Sequence, residues 1–398
     1  MGTEKNLLRS IGTFCLCFWA LTAFAHPSAW DEAMSAGQTA RQRGDYSEAE
    51  KQFSSALREA EGFGDTDSRL PASLNSLAGV LRISGKDVEA ERLYQRALKL
   101  QECSLGINHP EVAKTANNLA VLYYDSAKYA QAEPLYKRAM AIWEDTLGTE
   151  HPRVATAAYD LGMLYQDEGK NDEAESSYNR ALAIWEKNGE PENGEVAGTL
   201  RRLGDIYRAH GRYVEAEPLY RGALAIWEKN GSPQTTEVAA TLSHLGDIYW
   251  DRSGYLDAEP LYTHALKIWT REQAESLDVA TVLGRLGDVY RTQARYTEAE
   301  PLYLHALAIK EKHLGPANLD VATTVSSLAL LYNCEGNFPE AEPFYKRAVE
   351  IRERNLGPNH PDVLQSRQVY AELLRLHGSK EQAKKIDSQV ENAPASTL

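Results

Sequence analysis

The sequence has 398 residues, 43% of them hydrophobic and 25% charged, with 16 prolines, a composition that supports a folded core and excludes disordered or collagen-like classes. The formal net charge is −14, from 57 acidic against 43 basic residues. That balance works against a polyanionic partner, because nucleic acids and anionic membranes need clustered Lys and Arg.

At the N-terminus, Lys5 and Arg9 precede an apolar run from Ile11 to Ala25 that ends in Ala23-Phe24-Ala25, the small-x-small pattern that signal peptidase accepts. Residues 1–25 read as a cleaved signal and the mature chain as exported, periplasmic or secreted. The run is about 15 residues, short of the roughly 20 that span a bilayer. Cys15 and Cys17 fall within it.

From there on the chain repeats. Ala49, Ala90, Ala132, Ala174, Ala216, Ala258, Ala299, Ala341 and Ala383 are separated by steps of 41 or 42 residues, with Glu following each until Lys384 breaks the pattern. Val112, Val154, Val196, Val238, Val279, Val321 and Val363 recur with the same period. Within one unit, Leu119, Leu122 and Tyr123 recur at helical spacing, as do Leu135, Tyr136, Ala139, Ile142 and Trp143, which predicts two amphipathic helices. The turn between them falls near Ala127-Lys128, where other units carry Gly85, Gly169, Gly211 and Gly336.

Small residues (Ala120, Gly162, Gly204, Gly246, Gly287 and Ala329) mark the closest crossing of the two helices, opposite Ala132, Ala139 and their equivalents. Pro134, Pro218, Pro260, Pro301 and Pro343 fall near the end of the first turn of the second helix.

Leu-small-x-x-Tyr, Ala twelve residues after the small residue, an aromatic four further on and Ala three beyond resemble the tetratricopeptide signature. The long period, with the segments 117–123 and 132–139, is similar to that of kinesin light chains and their bacterial relatives over about residues 29–390. The resemblance implies an all-α, right-handed superhelical solenoid of about nine antiparallel hairpins over residues 26–390, as one cooperative array with a concave inner face, irregular end repeats and a disordered tail from 391 to 398. The array lacks the N-terminal heptad region through which a light chain joins its heavy chain. Cys103 and Cys334, more than five repeats apart, read as free thiols.

Residues on the first helices at i, i+4, i+7 spacing, beside the buried stripe, correspond to the face that holds peptides in this family. They are Asn75, Arg82, Asn117, Tyr124, Tyr159, Gln166, Arg201, Asp205, Arg208, Ser243, Asp247, Trp250, Asp288, Arg291, Ser326 and Asn333. Asp205, Asp247 and Asp288 occupy one register in three consecutive repeats. Such a row favours a partner with basic residues, unless these acids are local pairs on a solvated face.

Trp143, Trp185, Trp227 and Trp269 form a second ladder on the second helices. Gln101, Lys310 and Arg352 hold the same place in other repeats, which predicts partial exposure. The ladder serves inter-repeat packing or, alternatively, a docking strip on the convex side. His109-Pro110, His151-Pro152 and His360-Pro361 open first helices and read as structural rather than metal-ligating.

No motif for catalysis, phosphate binding, a metal or a cofactor stands in the sequence. These readings favour a non-enzymatic protein–protein interaction scaffold that holds an extended peptide or a partner protein, with a structural or self-assembling component as the alternative.

Overall fold

The computed structural model describes residues 28–189, 192–231, 234–272, 275–377 and 379–391. The leader read over 1–25 and residues 392–398 of the tail read over 391–398 lie outside them, while Glu391 closes the last helix instead of opening the tail. Among the described residues there are eighteen helices and no strand. The chain divides into two compact units, residues 1–189 and 190–398.

In the first unit the helices pair as hairpins: α1 (Ala29–Gln42) with α2 (Tyr46–Glu61), α3 (Arg69–Ile83) with α4 (Asp87–Leu105), α5 (Pro110–Asp125) with α6 (Tyr129–Leu147), and α7 (Pro152–Asp167) with α8 (Asn171–Lys187). The second unit continues the scheme with α9 (Gly194–Ala209) and α10 (Tyr213–Lys229), α11 (Thr236–Asp251) and α12 (Tyr255–Glu272), and α13 (Leu277–Thr292) and α14 (Tyr296–Leu314). It ends with α15 (Leu319–Cys334) and α16 (Phe338–Leu356), then α17 (Pro361–Leu376) and α18 (Lys380–Glu391).

Local chemistry sets these boundaries. His109, His151 and His360 are N-caps whose Nδ1 atoms accept from the backbone N–H of Glu111, Arg153 and Asp362 at 3.2, 3.1 and 3.3 Å, with proline at the first helical position. Asn193, Thr235 and Ser276 cap α9, α11 and α13 by accepting from Val196, Val238 and Val279, so the recurrent valine is the third residue of a capped helix.

In the first eight hairpins the turn passes through a left-handed residue. Gly85, Gly169, Gly211 and Gly336 have φ of 71–77°, and Ala127, Ser253 and Ala294 are held in the same region at 54°, 62° and 57°. The second helices begin earlier than their prolines suggest. Pro134 is the sixth residue of α6, and Pro218, Pro260, Pro301 and Pro343 are the sixth in α10, α12, α14 and α16, rather than near the end of a first turn. All five are exposed, so water can reach the carbonyl each leaves without its helical partner.

The close crossing lies at the predicted small residues, but a ring rather than an alanine methyl meets them. A Cβ on Gly162 would lie 2.5 Å from the ring of Tyr178, and one on Gly204, Gly246 or Gly287 would lie 2.8 Å from the ring of Tyr220, Tyr262 or Tyr303. Those tyrosines are fully buried, flanked by equally buried alanines such as Ala216 and Ala223. The Glu after each marker alanine also has a task. Glu91, Glu133, Glu217 and Glu300 accept from the hydroxyls of Tyr123, Tyr165, Tyr249 and Tyr332 in the next repeat at 2.7–3.1 Å, tying hairpin to hairpin.

Candidate functional site

In the first unit, α3, α5 and α7 present the polar face expected of them, and the predicted residues join successive first helices. Asn75 Nδ2 donates to Thr115 Oγ1 at 2.7 Å, and Asn117 Nδ2 donates to Asp160 Oδ2 at 3.1 Å. Arg82 pairs with Asp125, and the Tyr124 hydroxyl donates to Asp167 at 2.5 Å. Tyr159 packs its ring against Tyr178 and Trp185, with centroids 6.0 and 6.2 Å away, while Gln166 accepts from the Tyr178 hydroxyl at 2.9 Å.

In the second unit the three aspartates do share one register, yet they do not form a free acidic row. Each accepts from the buried tyrosine of its own hairpin: Asp205 from Tyr220, Asp247 from Tyr262 and Asp288 from Tyr303, at 2.7–2.8 Å. Cations complete the shell. Arg201 Nη1 donates to Asp205 at 2.8 Å, and His244 Nδ1 lies 2.7 Å from the same carboxylate. Arg285 and Arg208 approach Asp247 at 3.3 and 3.7 Å, and Arg291 approaches Asp288 at 3.6 Å.

Burial on its own would lift the Asp205 carboxyl, but His244, Arg201 and Tyr220 together hold it below the ordinary carboxylate range. Burial, reinforced by the facing carboxylates, pushes the hydroxyls of Tyr220, Tyr262 and Tyr303 far above their ordinary value. The Asp side chains are only 15–21% exposed, as are Arg201 and Arg291, against 31% for Arg208 and 42% for Arg285. Beside these aspartates the more accessible side chains are Arg208, His244 and Arg285.

The other predicted residues differ in role. Ser243 is buried, Trp250 packs against Tyr255 with centroids 4.8 Å apart and the rings tilted by 56°, Ser326 accepts from Arg352 at 2.8 Å, and Asn333 is half-buried near the end of α15.

The tryptophan ladder is a packing element, contrary to the partial exposure expected of it. Trp143, Trp185, Trp227 and Trp269 are at most 8% exposed. The polar equivalents are accommodated by hydrogen bonds: Gln101 accepts from Thr115 at 2.6 Å, Lys310 donates to Thr324 at 3.0 Å, and Arg352 donates to Ser366 at 3.0 Å. Cys103 and Cys334 are exposed free thiols.

Trp269 forms part of a cleft of about 590 Å³ between α9, α11 and α13, together with Arg201, Arg208, His244, Asp247, Glu237 and Asp278. The cleft is polarised along the helices. Glu237 and Asp278, both exposed, stand in the first turns of α11 and α13, whereas Arg208 stands in the last turn of α9. Both signs sit where helix dipoles favour them. His244, Arg285 and Lys310 were not legible as parts of this face, because their partners lie in a neighbouring repeat or on a different helix.

A sequence profile described as "Tetratricopeptide repeat" matches in overlapping stretches: 32–102, 69–145, 111–187, 153–229, 195–271, 237–312 and 320–393. No curated protein sequence matches the chain. Among solved structures, a STAND protein with a tetratricopeptide repeat sensor from Pyrococcus horikoshii is similar at 16% identity and a TM-score of 0.60, over 93% of this chain and 53% of that one. BtubC (BKLC) from P. vanneervenii is similar at 27% identity and 0.47, covering 57% of this chain and 89% of its own. A Podosopora anserina putative kinesin light chain with nearly identical TPR-like repeats is similar at 22% and 0.46, over 52% and 99%. Among the described residues, no helix is long and apolar enough to cross a membrane.

Proposed function

The chain belongs to the tetratricopeptide repeat family, whose members generally mediate protein–protein interaction, and on that footing we propose that it is a non-catalytic scaffold that holds an extended peptide across the first helices of its second unit. The observation that carries this reading is the polarised cleft. Arg208 and His244 are partly exposed, Glu237 and Asp278 stand at the first turns of α11 and α13, and Trp269 lines the same cleft.

An extended segment crossing α9, α11 and α13 would set an acidic side chain toward Arg208 and a basic one toward Glu237 and Asp278. The basic partner expected from the aspartate row is thus retained, but its contact moves to the acidic rim, since Asp205, Asp247 and Asp288 are engaged internally. We also propose that residues 1–25 direct export, so that exported material begins at His26; its intact mass tests this, and retention of Met1–Ala25 refutes it.

For the cleft, the test is selection of a displayed random-peptide library on the full chain. Enriched sequences should carry an acidic and a basic residue within one extended segment, and an Arg208→Gln variant should lose them. Enrichment without charge preference, or equal enrichment on the variant, contradicts the reading.

A further inference from the structure

Gly284 breaks the pattern of the inner face. In its register six other repeats carry a side chain, Asn75, Asn117, Tyr159, Arg201, Ser243 and Ser326. A Cβ on Gly284 would meet nothing within 4 Å, and a cavity of about 340 Å³ opens there between α13 and α15. The neighbouring ladder position is also changed, from tryptophan to Lys310.

The first unit shows what fits such a space. Tyr159, in register with Gly284, lays its ring against Tyr178 and Trp185, at 6.0 and 6.2 Å between centroids. The residues in register with those two are Tyr303 and Lys310, and both line the cavity. We propose that the Gly284 cavity is an aromatic-side-chain pocket, which receives from a partner peptide the ring that this repeat does not supply itself. The pocket rests on the reading of the second unit's inner face as a binding surface.

The chemistry of the walls favours an uncharged ring over a carboxylate. The lining holds two cationic side chains, Lys310 and Arg285, and two anionic ones, Asp288 and Asp320, so their formal charges sum to zero. Lys310 is half-buried and has Thr324 Oγ1 as an acceptor at 3.0 Å. Burial lowers its affinity for a proton, and an aromatic face can stabilise the remaining ammonium without bringing a countercharge. Leu277 and Leu314 give the ring apolar edges.

The probe is 4-methylphenol, the tyrosine side chain alone, titrated into the full chain and followed by NMR shifts of residues lining the cavity. Cyclohexanol serves as an aliphatic control of similar size. Saturable binding with a Kd on the order of millimolar is expected for so small a ligand, at least tenfold tighter than cyclohexanol. It should be lost in a Gly284→Tyr variant, which supplies the ring internally and should melt no lower than the parent. Absence of saturable shifts, equal binding of both probes, or undiminished binding to Gly284→Tyr overturns the proposal. Because Arg208 and the acidic rim lie outside this cavity, loss of the pocket would leave peptide selection by the cleft intact, and the two failures are distinguishable.

Discussion

Single residues decide how closely each hairpin packs, and two glycines one turn apart on α13 have opposite roles. Gly287 lies under the buried ring of Tyr303, and Gly284 faces open space. The same crossing recurs at Gly204, where replacement by Leu should cost about 1–3 kcal/mol, the usual penalty for overpacking. Gly284→Ala, by contrast, should raise stability by about 0.5–1 kcal/mol, because alanine loses less freedom in a helix and meets no neighbour. Chemical denaturation of the two variants checks both signs; a neutral Gly204→Leu would place the crossing elsewhere. The glycines were legible in the sequence because they recur, but their partner was not. The small residues were matched to alanines on helical spacing alone, whereas a large ring sixteen positions on reaches over them.

At the scale of elements, the turn between paired helices accepts non-glycine residues at a cost. Ala294 is held at φ 57° where Gly336 occupies the same position of the next hairpin at 77°. Ala294→Gly should therefore stabilise by about 0.5–1 kcal/mol, relief of left-handed strain outweighing the added freedom of the unfolded chain; a lower melting temperature would contradict this. The two-helix unit, its period and its turn could be read directly from the sequence, since hydrophobic spacing and turn chemistry are local. Hydrogen-bond partners could not. Asp205 is bound by Tyr220 in its own hairpin and by His244 in the next, and no pattern within one helix contains both. The ladder failed for a related reason: Gln101, Lys310 and Arg352 signalled exposure by their polarity, yet each bonds to Thr115, Thr324 or Ser366, fourteen residues on. Thr199 and Thr241 stand at the same offset from Trp185 and Trp227, so that signal alone would not have separated the cases.

Over the whole molecule, buried tyrosines link stability to pH. Burial, with Glu372 and Glu342 among the facing charges, pushes Tyr345 and Tyr370 up to about 12, while an unfolded tyrosine ionises near ~10. The folded form keeps protons that the unfolded form releases in this window. Stability from these groups is thus complete below about pH 10 and declines as pH rises toward 12. Thermal melts across this range should fall together with the appearance of tyrosinate absorbance; melting that is unchanged at pH 12 would contradict the burial of these hydroxyls. Under the function proposed above, it is the polarised cleft that makes the repeat array selective. Its most direct test is a calorimetric titration of one enriched peptide at about 50 and about 300 mM salt, using the parent chain, Arg208→Gln, and a Glu237→Gln/Asp278→Asn double variant. The account predicts that salt weakens binding to the parent, that each variant binds at least tenfold more weakly, and that the variants lose much of the salt dependence while melting as the parent does. Equal affinity of all three chains, with no effect of salt, would contradict a charge-read peptide groove.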